Sequence, residues 1–132
     1  MDRSALLRVT YRVNAAATLA TGLGLLAAGH LLAPVFAVPA VALWAVGAAF
    51  LPFALWIWWI SRRPQLRPGE AAMAGFLDGA YALGSFVALA EMWSSMTAEL
   101  RLAVAVVGAP VALFAAVELS SVFRLRASPA AV

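Results

Sequence analysis

The chain has 132 residues, is 65% apolar and 11% charged, and carries a formal charge of +3 at pH 7. Ordinary soluble domains are about 45–50% apolar and about 25% charged, and a domain this small leaves much of its surface exposed. A single water-soluble domain is therefore excluded, and the bilayer is the natural solvent.

The chain has no cysteine, so disulfides, thiolate metal sites and cysteine nucleophiles are excluded too. All nine basic residues are arginine. They are spread over three short segments and form no basic surface with interleaved aromatics, which argues against a nucleic-acid partner.

No charged residue lies between Arg12 and Arg62. That interval is too long for one crossing, which needs about 20 residues. Pro34 and Pro39 are expected to divide it, because proline fits poorly inside a helix. The expected spans are 13–33, 40–60, 71–93 and 102–123, each long enough to cross with some tilt. The first, VNAAATLATGLGLLAAGHLLA, also has the outline of a secretory signal peptide. Its apolar part exceeds the usual h-region, so it is read as a span.

The second span ends WIWWISRRP. Trp56, Trp58 and Trp59 fit an interfacial aromatic belt, with Arg62 and Arg63 just beyond it. With four spans, Arg3, Arg8, Arg12, Arg62, Arg63, Arg67, Arg124 and Arg126 fall on one side, and only Arg101 falls on the other. The positive-inside rule then places both termini in the cytoplasm. The connections, 34–39, 61–70 and 94–98, are short, with Thr97 read as an N-cap and Glu99 in the following turn. Short connections make neighbours antiparallel. The expected fold is an all-α, single-domain membrane protein: an up-down-up-down bundle of four spans with both termini inside.

Between helices in lipid, close backbone approach replaces the hydrophobic effect. Ala71, Gly75 and Gly79 recur at four-residue spacing in the third span and form a small-residue packing face, suited to another helix of the chain or to a second copy. Pro52 and Pro110 each remove one helical hydrogen bond, freeing a carbonyl near Ala48 and Val106. They predict kinks, or a broken helix at a binding site.

The stretch FLDGAYALGSF, residues 76–86, places Asp78 inside an apolar run. A mid-bilayer charge costs about 2.5–3.5 kcal/mol on insertion scales, so such acids usually face the bundle interior and find partners. In the first span Thr10, Asn14, Thr18 and Thr21 share a face, as Asp78, Tyr81 and Ser85 do in the third. Counting inward from Arg12, Glu70 and Arg124, the residues Thr18, Asp78 and Glu118 lie at a common depth of about 9–12 Å. Asn14, Thr18, Asp78, Tyr81, Ser85 and Glu118 are therefore expected to form one buried polar layer. Two facing carboxylates in low dielectric are not both readily ionised, so the pair could carry a proton. Glu118 could instead snorkel toward Arg124.

His30, Met92 and Met96 gather at the opposite end with Glu91 and Glu99. One histidine and no cysteine make a poor metal or haem set, and no metal or cofactor is expected. Ser120 and Ser121 lack a base, and no triad, phosphate loop or zinc motif occurs. The chain reads as non-enzymatic.

In length and span count it resembles the small multidrug-resistance transporters, four-helix dimers with an essential glutamate in the first span. The corresponding region here holds Asn14 and no acid, so the resemblance ends there. The leading expectation is an accessory or scaffolding subunit of a bacterial-type inner membrane, surrounded by lipid and working through helix contacts with itself or a larger complex. The alternatives are a small proton-coupled transporter or channel using Asp78 and Glu118, and a lipid or quinone binder served by Trp44, Phe50, Phe53 and Trp56.

Overall fold

The computed structural model describes the backbone of residues 3–127 and the side chains of residues 5–123. The side chains of Arg3, Arg124 and Arg126 lie outside that range. The described residues form four helices and no strand: α1 (Arg3–Phe36), α2 (Ala40–Ser61), α3 (Pro68–Glu91) and α4 (Ala98–Ala127). Each is long and apolar enough to cross a membrane.

The helices overrun the expected spans because hydropathy marks hydrocarbon thickness, whereas a helix ends where its backbone is capped. The 34 residues of α1 extend about 51 Å at the usual rise, well beyond a hydrocarbon core of about 30 Å. Pro34 does not end α1, which continues to Phe36. The stop is made at Ala37, whose φ of 53° is left-handed. It lets the Val38 N–H donate to Ala33 O at 3.1 Å, the long bond of a Schellman cap.

Pro39 then leads into α2 with extended φ and ψ. Pro68 opens α3 at its first turn, where its missing N–H is no loss, three residues earlier than expected. The third helix ends at Glu91, leaving Met92 and Trp93 in the turn that follows. Thr97 caps α4 as read, its Oγ1 accepting the Leu100 N–H at 3.2 Å. The helices α2 and α4 run uninterrupted through Pro52 and Pro110, so neither is a broken helix.

The main contacts pair α1 with α2 and α3 with α4, and α1 also packs on α4. Glycines set both pairings. A Cβ on Gly47 would lie 2.8 Å from Gly22 O, and one on Gly22 would lie 3.0 Å from Gly47 O. Only hydrogen at both positions allows that approach. In α3 a Cβ on Gly75 would lie 2.9 Å from Leu119 Cγ, and one on Gly79 would be 3.8 Å from Ala115 Cβ. The Ala71, Gly75, Gly79 face is thus turned inward, with Gly75 and Gly79 against α4.

A buried hydrophobic cluster sits at the end where α1 begins. It joins Leu7, Tyr11 and Ala15 to Ile57 and Ile60, Ala71 and Ala74, and Val122. Arg8 pins this end. Its guanidinium donates to Ser61 O at 3.0 Å, to Arg63 O and to Pro64 O at 2.8 Å. The last carbonyls of α2 lack helical donors, and a cation there also complements the helix dipole. Arg63 lies over the Trp59 ring at 3.8 Å and pairs with Glu70 at 3.3 Å.

Candidate functional site

Directly above the packed end lies a layer centred on Asn14. Asn14 and Glu118 are fully buried and Asp78 is 3% exposed. The Asn14 amide nitrogen donates to Asp78 Oδ2 at 2.5 Å and, more weakly, to Glu118 Oε1 at 3.4 Å. Its carbonyl oxygen accepts from Thr18 Oγ1 at 3.1 Å. This orientation gives the acids a donor and the Thr18 hydroxyl an acceptor. One amide therefore ties acids from α3 and α4 to α1.

The layer is not fully satisfied. Glu118 Oε2 and the Tyr11 hydroxyl are buried without a hydrogen-bond partner among the described residues. Such orphans are few in folded proteins, and each costs about 1–3 kcal/mol if left unmet.

The sequence-predicted set is only partly brought together. Asn14, Thr18, Asp78 and Glu118 meet. Tyr81 and Ser85 do not join them. Tyr81 is 36% exposed and sets its ring edge-on to Phe50, with centroids 5.4 Å apart. Ser85 donates to Tyr81 O within its own helix at 2.8 Å. Periodicity put both on the Asp78 face, but Ser85 lies two turns further along, about 10 Å away. Of the other first-span hydroxyls, Thr10 donates to Leu6 O and Thr21 to Ala17 O. Glu118 is held in the layer, and the Arg124 side chain toward which it could snorkel is outside the described residues.

Between the two helix pairs, on the side of the layer away from the packed end, is a cavity of about 280 Å³ lined by all four helices. Asp78 borders it, with Thr18, Thr21 and Tyr81 as the other polar lining residues. The remaining walls are apolar and include Phe50, Phe53 and Phe114. Pro110 and Val106 both line it, so the carbonyl freed by Pro110 belongs to a wall residue. Two of the four expected aromatics, Phe50 and Phe53, face this cavity. Trp56 instead packs on Phe53 at 6.0 Å, and Trp44 covers Gly29.

Among the described residues, no group of three His, Cys, Asp or Glu is placed to hold a metal ion. Four apolar helices around an acid-bordered cavity define the class: a small all-helical protein of membrane-spanning type. No protein-family model matches the chain, and no curated protein or solved structure is significantly similar to it.

Sequence reasoning missed Tyr11, because a tyrosine near an arginine reads as an interfacial anchor. Its spacing of three residues from Asn14 was the available signal. It also missed Phe114, which nothing separates from other apolar residues of the last span.

Proposed function

We propose that the protein is a single-domain, non-enzymatic, up-down-up-down bundle of a bacterial-type inner membrane, with both ends cytoplasmic, that holds a lipophilic molecule between its helix pairs. The observation that carries this reading is the cavity reaching Asp78. Ligand sites are typically concave and mostly apolar, with a few convergent polar groups. A scaffold needs only a layer packed shut, so a cavity at a buried carboxylate supports binding over scaffolding. The arginine asymmetry supports the orientation.

Native mass spectrometry from mild detergent tests this. Wild-type protein is expected to carry a co-purifying lipophilic adduct, and Val107→Trp, which adds bulk at the cavity wall, is expected to lose it. No adduct on the wild type, or the same adducts on both, would remove the basis of the proposal.

A second reading, proton-coupled transport, draws on the two acids sharing Asn14. Proteoliposome flux across a pH gradient measures it. If folded Asp78→Asn and Glu118→Gln proteins both match wild-type flux, the acids play no part in transport.

A further inference from the structure

The polar lining is unbalanced in a way that names the ligand. The Thr18 hydroxyl proton is given to Asn14 Oδ1 and the Thr21 proton to Ala17 O, so toward the cavity both residues offer oxygen lone pairs only. Asp78 spends Oδ2 on Asn14 and is itself a lining residue. Pro110 provides no N–H for the Val106 carbonyl. Among the lining side chains, the Tyr81 phenol is the remaining neutral donor. The few polar groups of an otherwise apolar lining are therefore mostly acceptors.

The charge is equally one-sided. The two acids share one neutral amide, and among the described residues Glu118 Oε2 receives no hydrogen bond. Of the described arginines at this end, Arg8 is committed to the end of α2 and Arg63 to Glu70, while Arg12 is exposed. Four aromatic rings, Phe50, Phe53, Tyr81 and Phe114, border the same space. Aromatic faces attract cations, most strongly where water is excluded.

We infer that the cavity takes a lipophilic cation: an apolar body carrying a protonated amine whose N–H groups meet Asp78 and whose charge lies among the aromatic rings. This rests on the cavity-binding reading above and narrows it. A quinone, whose oxygens only accept, finds acceptors where it needs donors. A neutral lipid chain would fill the walls but leave Asp78 unanswered. The ammonium supplies the donors and the charge together, and a charge-assisted bond is stronger than a neutral one.

A matched pair of fluorescent probes tests this: 2-(1-naphthyl)ethylamine, protonated at pH 7 as alkylamines are, and 2-(1-naphthyl)ethanol. Uptake is measured by equilibrium dialysis against nanodiscs of zwitterionic lipid, with protein-free nanodiscs as the blank. Wild-type protein is expected to bind the amine about tenfold tighter or more, the ratio that one desolvated charge-assisted contact supplies. Asp78→Asn is expected to bring the two probes to parity while the alcohol still binds. Val107→Trp is expected to abolish excess uptake of both.

Equal binding of amine and alcohol by the wild type would overturn the cation assignment and leave the cavity reading standing. No excess uptake of either probe would overturn both. An amine preference retained in folded Asp78→Asn protein would also overturn the assignment. Should that variant fail to fold, the wild-type ratio alone decides.

Discussion

The two ends of this molecule are held together by different means. At the end where α1 starts, side chains from all four helices interlock: Tyr11, Ile57, Ile60, Ala74 and Val122 belong to one buried cluster. Beyond the Asn14 layer, burial is found mainly within each helix pair. Gly22 meets Gly47 and Gly29 meets Trp44 in the first pair, and Gly108 meets Ser85 in the second. Across the gap the aromatic contact is Phe50 with Tyr81, and the cavity occupies the rest. The structure is thus two hairpins fastened at one end, with a polar fastener at the boundary. Small residues let helices close pairwise, but only bulk projecting from every helix closes a four-helix interior.

The sharpest way to break this contrast is to delete bulk at each end. Ile57→Ala should cost about 2 kcal/mol or more, because the void and the lost dispersion contacts remain even though lipid removes most of the transfer term. Phe114→Ala, at a wall already facing open space, should cost less than half as much. Reversible unfolding in mixed micelles measures both, and equal losses would erase the distinction.

Glycine substitutions probe the pairings. Gly47→Ala forces a methyl against the Gly22 carbonyl and should cost about 1–3 kcal/mol by overpacking. Gly84 has nothing within 4 Å of an added Cβ, so Gly84→Ala should gain up to about 1 kcal/mol from helix propensity. The same sign for both would contradict the placement of the α1–α2 crossing.

At the boundary, Asn14→Leu removes the one donor shared by Asp78 and Glu118. It should cost about 1–3 kcal/mol, and Glu118→Gln in that background should recover part of the loss by removing a charge. No loss on Asn14→Leu would mean that the amide fastens nothing.

The smallest effect is at the far turn. Ala37 holds a left-handed φ of 53°, a conformation that costs an L-residue about 1–2 kcal/mol. Ala37→Gly should therefore raise stability by about 1 kcal/mol, read as a later unfolding midpoint.

Much of this was legible in the sequence, for physical reasons. Four apolar stretches between arginine-bearing segments are what bilayer thickness and charge transfer require. Asp78 and Glu118 stood out because a carboxylate in hydrocarbon must be accounted for. The inward turn of Ala71, Gly75 and Gly79 was one of two open readings, since small-residue spacing serves an internal or an external partner equally.

Other features left no such mark. Helix ends were misplaced because capping groups such as Ala37 and Pro68 act outside the hydrocarbon. Arg8 looked like any inside-positive residue, yet it caps a different helix. Gly22 is one of three glycines in its span and Gly47 stands alone in the next, and their pairing exists only across α1 and α2. The cavity comes from side chains that fail to meet, and no residue type records that.

The chain's lack of cysteine makes the central claim directly measurable. Val107→Cys lines the cavity and Ala74→Cys sits in the sealed cluster. Each would be reacted in native membranes with N-ethylmaleimide and referenced to its own labelling after denaturation in SDS. The account predicts rapid modification at residue 107 and protection at residue 74. Protection at both positions would mean that the helix pairs close along their whole length, and that Asp78 faces no binding space.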